Sequence, residues 1–114
     1  RLNLEDPRVR SDVQNILEDL DRSARVRQSR DLAKVLHEEW KRPEFSARGL
    51  PKGSTRTVRQ APFFLVSHVA MPSVLVEVGF LSHRQEGMKL QQTDYQAAIA
   101  EALFSGIRRF LDQE

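Results

Sequence analysis

Cysteine is missing from this chain of 114 residues, which removes a disulfide framework and a cysteine-based zinc ribbon from consideration and leaves the cellular compartment open. No run approaches the roughly 20 apolar residues that a membrane-spanning helix needs, so no transmembrane segment is expected. No secretory leader is read in these residues, which is uninformative because the chain opens at Arg1 rather than at methionine, as a processed or excised segment would. An excess of one charge is also missing. The 18 Lys and Arg face 16 Asp and Glu for a net charge of +2, so a pI near 9.4 reflects a near balance and says little about nucleic acid. Gly49 to Ser54 lacks the Walker spacing, and Ser54 and Ser82 lack a nucleophile elbow, which argues against nucleotide binding and serine hydrolysis. No internal repeat or low-complexity tract is present.

What is there reads as one soluble globular domain or part of one. Asp6-Pro7 is a helix start, an N-cap acceptor followed by proline in the first turn, and Ser11 with Gln14 offers a second start one turn later. Val9, Val13, Ile16, Leu17 and Leu20 recur at helical spacing, and after Asp21 to Ser23 the pattern resumes through Val26, Ser29, Leu32, Ala33, Leu36 and Trp40. Helix is expected throughout, either as a second helix or as the same helix bent at the junction. From Lys41 to Thr57 the periodicity stops, and Pro43, Gly49, Pro51 and Gly53 predict a long irregular connection.

Two strands are expected next, Phe63 to Val66 and Val74 to Val78. The seven residues between them are too few for a parallel crossover, so a mixed sheet is predicted. Arg84 to Leu90 reads as a short helix. Thr93 with Gln96 reads as a capping box that opens a last helix. Tyr95, Ile99, Ala102, Leu103, Gly106 and Phe110 form its apolar face, with Ala98, Glu101, Arg108 and Arg109 largely off it. That helix is expected to pack on the sheet, giving an α/β fold.

Glu77 is the anomaly. It sits inside the apolar run Val74-Leu75-Val76-Glu77-Val78, bounded by Pro72 and Gly79, and an unpaired carboxylate buried in such a strand is expensive. It must be neutral, be paired, or project from the strand's end, where α/β sheets bind ligands. The bland account pairs it with Arg56 or Arg59.

The run Gln60-Ala61-Pro62-Phe63-Phe64-Leu65-Val66 followed by Met71-Pro72-Ser73-Val74-Leu75-Val76-Glu77-Val78-Gly79-Phe80-Leu81-Ser82 resembles the closing part of the type 3 family of zinc-dependent N-acetylmuramoyl-L-alanine amidases. The resemblance continues through Glu86 and Tyr95-Gln96 and reaches back to Ile16-Leu17-Glu18-Asp19-Leu20 and Ser29. It implies that residues 1–114 are the C-terminal portion of a single amidase catalytic domain, within a mixed-sheet, helix-flanked three-layer fold. It also implies a peptidoglycan hydrolase of the bacterial envelope or periplasm, sometimes with an activator protein and a role in cell division. Glu77 matches the family's catalytic acid/base. The family's zinc ligands lie in motifs that this sequence does not contain, so Zn2+ is expected to be held by the N-terminal part of the domain, outside this chain. Desolvation by apolar neighbours would suit Glu77 to acid/base work by raising its pKa.

The remaining candidates are weaker. His37-Glu38-Glu39-Trp40-Lys41 superficially resembles the helical zinc motif, but lysine stands where the second histidine belongs. His68 and His83 add no ligand spacing, so no metal site is expected within the chain. His83 follows the Glu77 strand and is a candidate for substrate contact. Arg56 and Arg59, with Lys52, are candidates for binding the carboxylates of a peptide stem. Glu5, Asp6 and Glu18 read as surface charge. Two other classes stay open: a noncatalytic wall-binding or regulatory module, and a small basic nucleic-acid binder, whose affinity would fall steeply with salt and which the lack of exposed aromatic platforms disfavours.

Overall fold

The computed structural model of the chain describes residues 3–51 and 70–113. Among these, helix α1 spans Pro7–Trp40, α2 Pro43–Ser46, α3 Arg84–Leu90 and α4 Thr93–Asp112. The start of α1 is the one expected. Asp6 is extended, and its side chain accepts the Arg8 N–H at 2.9 Å. Pro7 occupies the first helical position, where a missing N–H costs nothing. With neither glycine nor proline from Arg8 to Lys41, nothing interrupts the helix at Asp21 to Ser23, and it is a single rod of 34 residues. It stops where Arg42, extended ahead of Pro43, leaves the helical region.

The stretch expected to be irregular contains α2, a single turn that buries Phe45 and is followed by buried Leu50. These two residues and Trp40 pack against Tyr95, Ala98, Ile99 and Ala102 of α4, with Val78, Leu90 and Leu103 leaning on the cluster. Each fully buried aliphatic or aromatic side chain contributes about 1.5–3 kcal/mol. Ala98, read as lying off the apolar face, is 0% exposed; it follows Tyr95 by three residues and shares its stripe. Gly106 lets α4 meet α1 closely, because a Cβ there would lie 2.6 Å from Leu36 Cδ2 and 3.1 Å from Leu36 Cα. Lys89 of α3 reaches the Gly49 carbonyl at 3.4 Å and lies 5.6 Å from the centre of the Tyr95 ring. Arg48 donates to Glu101, tying the turn after α2 to α4.

Among the described residues the expected mixed-sheet, three-layer α/β architecture does not form. The described residues hold helices and no strand. Val74 to Val78 has no ladder; Val76 is 39% exposed and Phe80 68%. A strand exists through hydrogen bonds to a neighbour, and its expected neighbour, Phe63 to Val66, lies outside the described residues. The last helix accordingly packs on α1 rather than on a sheet. Its capping box is not formed either. Gln92 is the cap residue, Thr93 lies already inside the helix, and the Gln96 amide donates to the Leu90 carbonyl at 2.7 Å. The apolar spacing at Ile16, Leu17 and Leu20 is helical as expected, yet all three are exposed.

Candidate functional site

The segment from Met71 to His83 carries Glu77 and is anchored at both ends. Upstream, the Ser73 N–H donates to Ser29 Oγ of α1 at 2.9 Å, and the Ser73 hydroxyl donates to the Met71 carbonyl at 3.0 Å. Downstream, the Phe80 N–H donates to Glu86 Oε2 at 2.8 Å, and the His83 N–H donates to the Phe80 carbonyl at 3.1 Å. Between them Val78 packs on the core. Glu77, the residue before it, is exposed, which agrees with the alternative that it projects from its segment and leaves no enclosing apolar shell to desolvate its carboxylate.

His83 is the N-cap of α3, its Nδ1 accepting the Glu86 N–H at 3.4 Å. The structure therefore brings Glu77, Glu86 and His83 into one tethered stretch. Arg56 and Arg59, with Lys52 and His68, lie outside the described residues. The signal for Glu86 was legible as His83-Arg84-Gln85-Glu86, the spacing of a cap residue and its third helical neighbour, but histidine is not a usual cap.

Sequence reasoning missed a second cluster altogether. Glu39 is 5% exposed and accepts from Ser105 Oγ at 2.7 Å, from Arg42 at 3.0 Å and from Arg109 at 3.4 Å. Arg109 also pairs with Glu38 at 2.8 Å. Burial opposes the ionised carboxylate of Glu39, but the hydrogen bonds from Ser105, Arg42 and Arg109 outweigh it and hold its pKa below the usual range. The clue was positional, since Glu39 follows Leu32 by seven residues and Leu36 by three. Neighbouring His37 has its pKa lowered, chiefly by partial burial and then by Lys41, against an opposing effect of Glu38.

Amidases of the type 3 family are zinc-dependent. Among the described residues no group of three or more His, Asp and Glu side chains could hold a metal ion. His83 spends Nδ1 on its cap and His37 stands on α1, so these residues do not fit a zinc site. No helix of the described residues is long and apolar enough to cross a membrane.

A family profile for N-acetylmuramoyl-L-alanine amidases matches residues 17–109. The chain is similar to the N-acetylmuramoyl-L-alanine amidase AmiC of Neisseria meningitidis, with 31% identity over 100 residues, which is 88% of this chain and 22% of that protein. It is 36% identical over 58 residues to the uncharacterized protein YqiI of Bacillus subtilis, covering 51% of this chain and 28% of the relative. It is 37% identical over 51 residues to the N-acetylmuramoyl-L-alanine amidase LytC of Bacillus subtilis, covering 45% of this chain and 10% of the relative. The chain thus spans between 10% and 28% of the length of these three relatives. No solved structure matches it. A match that takes in α1 from Leu17, the whole Glu77 segment, α3 and α4 to Arg109 leaves one assignment: the chain belongs to the type 3 N-acetylmuramoyl-L-alanine amidase family.

Proposed function

We propose that this chain is the C-terminal portion of the catalytic domain of a peptidoglycan hydrolase of the bacterial envelope. The bond cut is the amide between the lactyl group of N-acetylmuramic acid and the L-alanine of the stem peptide. The observation that carries this reading is the family match over residues 17–109, which takes in Glu77, on a tethered segment where that residue is exposed. Glu77 is the acid/base. It takes a proton from the attacking water and delivers one to the departing amine, because water is a weak nucleophile and an amide anion a poor leaving group. His83, with Arg56 and Arg59, contacts the stem peptide. The zinc of this family would be held by residues other than the described ones.

The test is Glu77→Gln in the full-length, zinc-loaded enzyme that carries this sequence. The swap is nearly isosteric and removes only proton transfer, so release of soluble fragments from dye-labelled peptidoglycan should fall by roughly two to four orders of magnitude with zinc content unchanged. Near-parental turnover by the zinc-loaded variant would retire the assignment. A parent protein that binds peptidoglycan without cutting it would support the noncatalytic wall-binding module instead.

A further inference from the structure

The turn from Gly79 to His83 joins the Glu77 segment to α3, and Glu86 touches it once through its side chain and once through its backbone. Its Oε2 accepts the Phe80 N–H at 2.8 Å, a charge-assisted bond, while its own N–H donates to His83 Nδ1 at 3.4 Å. Behind the turn, α3 presses on the backbone at buried Gly87, where a Cβ would lie 2.7 Å from the Leu81 carbonyl oxygen. Helix capping alone does not call for this arrangement. In a capping box the glutamate reaches back to the N–H of the cap residue itself. Here the His83 N–H is already given to Phe80 O, and the Glu86 carboxylate passes the cap to hold Phe80, three residues after Glu77.

We propose that Glu86 is a positioning residue for the hydrolysis, its carboxylate acting through the Phe80 N–H to fix the downstream end of the Glu77 segment. The proposal rests on the reading of Glu77 as acid/base. Upstream the segment is held by Ser29, and Val78 touches the core. Without the Phe80 tether the backbone after Val78 is fixed only through the turn, and a displacement of about 1 Å at a reacting group can cost on the order of 100-fold in rate.

In the full-length zinc-loaded enzyme, Glu86→Ala should lower kcat about 10- to 100-fold while KM moves by less than about threefold. Glu86→Gln should restore most of the rate, since its amide oxygen can accept the same N–H. Amide hydrogen exchange at Phe80 gives a readout independent of turnover: slow in the parent, nearly as slow in Glu86→Gln and fast in Glu86→Ala. Parental kcat in Glu86→Ala, equal impairment of Glu86→Gln and Glu86→Ala, or an unprotected Phe80 amide in the parent would each overturn the proposal. Should Glu86→Ala not fold, the parent and Glu86→Gln decide it by exchange and rate. Glu77→Gln run in parallel separates the two readings. If that variant keeps its turnover, the acid/base assignment has failed; if it is inactive while Glu86→Ala is parental, only the positioning role has.

Discussion

Replacing Glu39 by glutamine tests whether the buried carboxylate clamps α1, α2 and α4 together. The amide keeps the volume and can still accept from Ser105, so the loss falls on Arg42 and Arg109. Hydrogen bonds to charged groups are worth about 1.5–3 kcal/mol when dry. The two guanidinium side chains are 51% and 41% exposed, so water replaces much of each bond, and about 0.5–1 kcal/mol apiece is the reasonable loss. Glu39→Gln should therefore unfold about 1–2 kcal/mol more easily near neutral pH. Glu39→Ala should lose more, roughly 2–4 kcal/mol, because it also strands the Ser105 hydroxyl and opens a cavity. The folded pKa of Glu39 is depressed below its ordinary 4.5, so its contribution is fully present above that value and drains away as pH falls through the folded pKa. Urea titrations followed by helical circular dichroism should show parent and Glu39→Gln far apart at neutral pH and converging in acid. Equal stability at neutral pH, or a gap that does not shrink with acidification, would refute the clamp.

Two further substitutions probe the packing. Gly106→Ala gains about 0.5–1 kcal/mol of helix propensity but drives a methyl to 3.1 Å from the Leu36 Cα, which cannot swing aside as Leu36 Cδ2 can; overpacking of about 1–3 kcal/mol should win, giving a lower Tm. A rise in Tm would mean that α1 and α4 are not held that close. Val76→Asp, which a buried strand would not survive, should change stability by no more than about 0.5 kcal/mol at a position 39% exposed. Leu103→Asp, half-buried against the core cluster, should cost several times that through desolvation of its carboxylate, roughly 2–3 kcal/mol. Reversal of that order on thermal melting would restore the strand.

The helices were readable because their signals are local. Asp6-Pro7 caps its own neighbours, and the stripe from Tyr95 to Phe110 needs only the 3.6-residue repeat. The sheet was misjudged for the opposite reason. An apolar run such as Val74 to Val78 states that the segment wants cover, and it is silent on whether a partner is within reach. Glu39 was hidden by the same distance effect. Glu38-Glu39 reads only as part of an incomplete zinc motif until Ser105 and Arg109 arrive from 66 and 70 residues away. Glu77 and His83 fell on one stretch as their proximity in sequence required, whereas the grip of Glu86 on Phe80 depends on a turn whose path residue type alone does not determine.

The hydrogen bond between Ser29 and Ser73 divides α1 into two regimes. C-terminal to it, Val35, Leu36, Glu39 and Trp40 are buried, and opening those turns means breaking the core. N-terminal to it, from Pro7 to Ser23, only Val9 and Val13 escape full exposure, so the rod is held there by backbone hydrogen bonds, the Asp6 cap and helix propensity, which are marginal over such a length in water. Fraying that begins at Pro7 therefore travels along the helix at little cost and is arrested near Ser29. That serine is the boundary between a cooperative unit that opens only with the whole domain and one that opens alone, and the Glu77 segment is fastened to the boundary itself.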